Sequence, residues 1–131
     1  MPVPRAALVM DSSGSVNLDT YMAYLTEIDA LIRRTNAEVT VIIADAEIQA
    51  IYQIRTTQDI PKIEFLGRGG TDFRPALEWI DQQSYDLAIY LTDLGGTFPE
   101  KTKTPVLWVG PENPHGINPV APIGRTIWIS Q

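Results

Sequence analysis

The stretch at residues 6–17, AALVMDSSGSVN, sets two patterns against each other. Five apolar residues run without interruption and then give way, at Asp11, to a carboxylate, three serines and a glycine. An unbroken apolar run of this length predicts a strand covered on both faces, as in parallel sheets flanked by helices. The segment after it carries more side-chain oxygen than a turn requires. Its serines either face a ligand or satisfy the unpaired amides at the start of a helix.

Working outward, four further apolar runs predict strands at 39–44, 87–92, 106–109 and 126–129. A sixth segment, EIQAIYQIR at 47–55, alternates instead, with Ile48, Ala50, Tyr52 and Ile54 on one face. Such alternation suits a half-buried strand near an edge. Only Asp45 and Ala46 separate it from the strand before, too short a gap for a helical crossover, so the two form a hairpin. Between Leu18 and Arg34, apolar residues Tyr21, Leu25, Ile28 and Ile32 keep a helical period. A second helix starts near Asp72 with Pro75 in its first turn and runs to about Gln83, with Phe73, Leu77 and Ile80 on one stripe. The joins after residue 92 are poor in helix, and GPENPHGINPVAP is a proline-rich loop. The order predicts an α/β domain: a three-layer, doubly wound, mostly parallel six-stranded sheet with one antiparallel edge hairpin.

The chain has 131 residues, 44% of them hydrophobic and 20% charged, which is one domain's worth of core. The absence of cysteine excludes disulfides and thiolate metal sites, and fits a reducing, cytoplasmic location. A net charge of −6 lacks the basic footprint of a broad nucleic-acid binder. No apolar stretch reaches the ~20 residues of a membrane span.

In doubly wound sheets, ligands bind beyond the carboxyl ends of the strands where the winding reverses. After the first strand come Asp11, Ser13 and Ser15; after the fourth comes Asp93; before the second helix, the glycine-rich GRGGTDF brings Thr71. If the first and fourth strands are neighbours, these groups converge. Two carboxylates and three hydroxyls suit a hard divalent cation such as Mg²⁺ or Mn²⁺. In Asp11-x-Ser13-x-Ser15 every second residue is polar, so one tight loop can turn all three inward, with Gly14 relieving the crowding.

DSSGS, GGT and TD in this order resemble the metal-ion-dependent adhesion site of von Willebrand factor type A (VWA) domains. The resemblance implies that Ser13 and Ser15 ligate a metal (Mg²⁺, Mn²⁺ or Ca²⁺), with Thr71 joining directly or through water. It implies that Asp11 and Asp93 hold the metal's waters, or that one of them binds it directly. It further implies a partner protein that supplies an Asp or Glu to the open position, with AAA-type ATPases of the MoxR kind as candidates, and no catalysis. More narrowly, residues 1–131 resemble the small VWA-like domain at the carboxyl end of predicted bacterial metallopeptidase-like proteins. That resemblance implies a single domain excised from, or homologous to the end of, a longer protein. Two departures stand out: Leu94 follows the final aspartate where many members have glycine, and the helices after strands four and five are barely present.

Other readings compete. Ser13 and Ser15 can cap a helix, Asp93 can cap a turn with Gly95, and Asp72 fits a helix cap better than a ligand. Asp45 and Glu47 fall in the hairpin turn, Arg68 is a solvated charge or a steering one, and His115 is a loop residue. Trp79, Trp108 and Trp128 belong to the core or its margin. A haloacid-dehalogenase-like phosphatase would use Asp11 as phosphoryl acceptor, but Ser13 stands where its second aspartate belongs. A flavodoxin-like phosphate or flavin binder would explain SSGSV at a helix start and leave Thr71 and Asp93 idle.

Overall fold

The computed structural model describes residues 4–12, 19, 22–23, 25–26, 30, 33–34, 38–54 and 70–129. Six strands form one sheet: β1 Arg5–Asp11, β2 Glu38–Ala44, β3 Ile48–Ile54, β4 Leu87–Leu91, β5 Val106–Pro111 and β6 Arg125–Ile129. Their spatial order is β3-β2-β1-β4-β5-β6, parallel throughout except for the antiparallel edge pair β2–β3. The alternating segment is the edge strand its period predicts: Ile54 is buried, Ile48, Ala50 and Tyr52 are half-buried, and Gln49, Ile51 and Gln53 face solvent. Asp45 closes the hairpin, its Oδ1 accepting the Glu47 amide and the Gln49 side-chain amide, both at 3.0 Å.

The near-continuous apolar runs acquire their meaning from two separate cores, one on each face. Ala7, Val9, Ile42, Ala88, Tyr90 and Trp108 pack beneath the helix Arg74–Gln82, which contributes Ala76, Leu77 and Ile80. The intervening residues Leu8, Met10, Val41, Ile43, Ile89 and Leu91 face the other way, with Leu25. Leu25 belongs to the earlier helix, of which Asp19, Met22, Ala23, Leu25, Thr26, Ala30, Arg33 and Arg34 are described as helical. Helices therefore cover both faces. Tyr21, Ile28 and Ile32, expected on the same stripe, lie outside the described residues.

The second helix begins two residues later than Asp72, with Pro75 in its first turn, where a missing amide hydrogen costs nothing. Phe73 anchors its start. The Phe73 ring meets Tyr90 and Trp108 edge-on, each at 5.0 Å between centroids, while Tyr90 and Trp108 stack on one another at 5.0 Å. The proline-rich loop folds back onto this face through two indole donors: Trp108 Nε1 to Ile123 O at 2.9 Å and Trp128 Nε1 to Pro119 O at 2.8 Å. No helix among the described residues is long and apolar enough to cross a membrane.

Candidate metal centre

The chain leaves β1 toward β2 and β3 on one side, then returns to build β4, β5 and β6 on the other. The winding reverses between β1 and β4, and this is where neighbouring crossovers diverge and leave room for a ligand. Asp11 ends β1, and Thr92 and Asp93 follow β4. The predicted neighbours are thus hydrogen-bonded neighbours, with Met10 opposite Leu91.

Asp11 is fully buried. Along β1 it continues the face of Ala7 and Val9, and Thr92 continues the face of Ala88 and Tyr90. Register carries the two together, and Thr92 Oγ1 donates to Asp11 Oδ2 at 2.6 Å. That length lies toward the short end of the range for O–H···O hydrogen bonds. Ser12 is buried and its amide donates to Ala44 O at 2.9 Å, so the chain leaves β1 alongside the end of β2.

The segment carrying Thr71 is stitched to this edge on both sides. The Asp72 amide donates to Asp45 O at 3.3 Å and the Phe73 amide to Thr97 O at 2.9 Å, and Asp72 and Thr97 form a parallel bridge. Thr71 also packs on the loop after β4: a Cβ on Gly96 would stand 2.7 Å from Thr71 Cγ2 and 2.9 Å from the Phe73 ring. Only glycine admits this approach. Thr71, Asp11 and Asp93 therefore share one edge of the sheet. Ser13, Ser15 and Arg68 lie outside the described residues.

Asp93 is exposed, and its Oδ1 accepts the Gly95 amide at 3.0 Å, which is the turn-capping arrangement. A carboxylate has about four lone-pair sites, so one such bond does not exhaust its capacity as a donor to a cation. Leu94, the departure from the usual glycine, adopts φ +69°. Its backbone keeps the left-handed conformation that glycine would favour, and its side chain is buried in the helix-covered core. Core packing offsets the strain.

Asp72, expected to cap the helix, stands one residue before the N-cap, which is Phe73 and makes no side-chain cap hydrogen bond. Its Oδ1 accepts the Arg74 amide at 3.0 Å, and its carboxylate pairs with the Arg74 guanidinium at 2.8 Å. The side-chain hydrogen bond from Arg74, above all, holds the Asp72 carboxyl below its ordinary value.

Sequence reasoning placed Thr92 at the end of a strand and in the TD motif, and gave neither it nor Tyr90 a role in the site. Alternation along β4 puts Thr92 on the face of Ala88 and Tyr90, but its place beside Asp11 follows only from the pairing of β1 with β4. Tyr90 carries no signal of its own. Its hydroxyl is buried without a hydrogen-bond partner among the described residues, one register step from Thr92. Burial first, then the carboxylates of Asp11, Asp72 and Asp45, push its pKa well above the ordinary phenol value, so it stays neutral.

Among the described residues no three His, Cys, Asp or Glu side chains group closely enough to hold a metal. The donor set in question is of another kind, two carboxylates with hydroxyls. Its described members, Asp11, Asp93 and Thr71, are all oxygen donors and fit a hard divalent cation. The six-stranded, mostly parallel sheet with one antiparallel edge pair is consistent with a VWA-like α/β fold. The family described as VWA-like domain (DUF2201) matches residues 6–130, and the chain belongs to it. Comparison with curated proteins yields no match. Membership of this family indicates a protein-interaction or adhesion-type module.

Proposed function

We propose that this domain is a divalent-metal-dependent protein-binding module without catalytic activity, and that Mg²⁺, Mn²⁺ or Ca²⁺ is held by Asp11, Ser13, Ser15, Thr71 and Asp93. The observation that carries the reading is the meeting of Asp11, Thr71 and the Asp93 turn at one edge, across the β1–β4 switch point. A bound cation would supply a positive charge with an open position for an acidic side chain. Because hydroxyls neutralise less of that charge than carboxylates would, the partner is expected to present an Asp or Glu. AAA-type ATPases of the MoxR kind are the candidates that family resemblance suggests, in the cytoplasm.

The test is thermal unfolding of the full chain with and without cation. A ligand that binds only the folded state at ten times its Kd stabilises by about 1.4 kcal/mol. For a domain of this size the melting temperature should rise by roughly 4–6 °C. Ser13→Ala, Thr71→Ala and Asp93→Ala should each shrink the rise, and Ser13→Ala/Asp93→Ala should abolish it. An equal rise in the double variant would assign the effect to the acidic surface at large and sink the proposal.

A further inference from the structure

We propose that Thr92, outside the expected donor set, is the positioning residue that fixes Asp11 for cation binding and ties it to the turn bearing Asp93. The proposal rests on the metal-binding reading above. Its basis is the direction of the bonds around one hydroxyl. The Leu94 amide donates to Thr92 Oγ1 at 3.2 Å, so that oxygen is already an acceptor. Its single proton is then directed to Asp11 Oδ2, 2.6 Å away and 81 residues distant in sequence. Both residues are fully buried, and no solvent competes for the bond.

Thr92 is itself held from a third side. Its amide donates to Val109 O at 3.0 Å, and Gly110 lies so close that a Cβ there would stand 2.4 Å from Thr92 O. A β-branched side chain on a backbone clamped in this way has little rotamer freedom left. Thr92 Oγ1 thus fixes one oxygen of Asp11 and, through the Leu94 amide, the turn in which Asp93 Oδ1 accepts the Gly95 amide. One side chain sets the relative position of the two carboxylates. Groups that orient metal ligands in this manner typically contribute 10–100-fold to affinity when removed.

The experiment is isothermal titration of the folded 131-residue chain with MgCl2, comparing wild type, Thr92→Val and Thr92→Ser. Thr92→Val keeps the shape and removes the proton donor; it should weaken Mg²⁺ binding about 10–100-fold. Thr92→Ser keeps the donor and should bind within about three-fold of wild type, a rescue that a purely packing role for Thr92 would not produce. Should Thr92→Val fail to fold, Thr92→Cys, with a weak thiol donor of similar size, takes its place with the same expected weakening. Wild-type affinity in Thr92→Val or Thr92→Cys would overturn the positioning role while leaving the metal site standing. Absence of binding in wild type with MgCl2, MnCl2 and CaCl2 alike would overturn the metal reading itself, and the positioning role with it.

Discussion

Replacing Leu94 separates two energies that coincide at that residue. Its side chain is buried in the core beneath the helix Arg74–Gln82, and its backbone is left-handed at φ +69°. Leu94→Ala removes the packing and keeps the strain, so it should cost about 2–4 kcal/mol, within the range for buried leucines. Leu94→Gly removes the same packing and relieves the strain. Glycine is ordinarily about 0.5–1 kcal/mol worse than alanine because of the freedom it regains on unfolding. The left-handed conformation costs a non-glycine residue about 1–2 kcal/mol. The difference leaves Leu94→Gly at least as stable as Leu94→Ala, with a margin of about 0–1.5 kcal/mol, against the usual order. Urea unfolding followed by tryptophan fluorescence reads both values, and both midpoints should fall below wild type. If Leu94→Ala proves the more stable by 0.5 kcal/mol or more, the turn after β4 does not store the strain assigned to it.

Tyr90→Phe should raise stability by about 1 kcal/mol, because it removes a buried hydroxyl that has no hydrogen-bond partner among the described residues. A loss of similar size, measured in the same urea assay, would mean that the hydroxyl has a partner, such as an internal water. Asp81 receives the amides of Lys103 at 3.0 Å and Thr104 at 2.9 Å. Burial works to raise its pKa, but these hydrogen bonds together hold it below the ordinary value. A carboxyl whose folded pKa is depressed contributes stability above its unfolded pKa, about 3.9, and loses it as pH falls through the folded value. Asp81→Ala should therefore cost about 1.5 kcal/mol at pH 6, with the gap to wild type narrowing below about pH 4. A gap that stays constant down to pH 2 would exclude the ionised carboxylate as its source.

The strands, the hairpin and the second helix were legible in the sequence because each obeys a local period. The unbroken run at Ala6–Met10 predicted a strand with a core on either side, and Leu8 and Val9 do face opposite cores. The alternation from Ile48 to Ile54 and the short Asp45–Ala46 gap likewise required an antiparallel edge. Asp11, Thr71 and Asp93 were legible as candidates because carboxylates and hydroxyls at strand ends need a reason to be there. Their meeting was not, since adjacency of β1 and β4 depends on how the sheet is wound. The tertiary structure alone brought Thr92 to Asp11, gave Leu94 a glycine's backbone and left the Tyr90 hydroxyl without a partner among the described residues. Each of these results from packing between segments far apart in the chain, and a local period carries no information about which distant side chain will fill the space beside it.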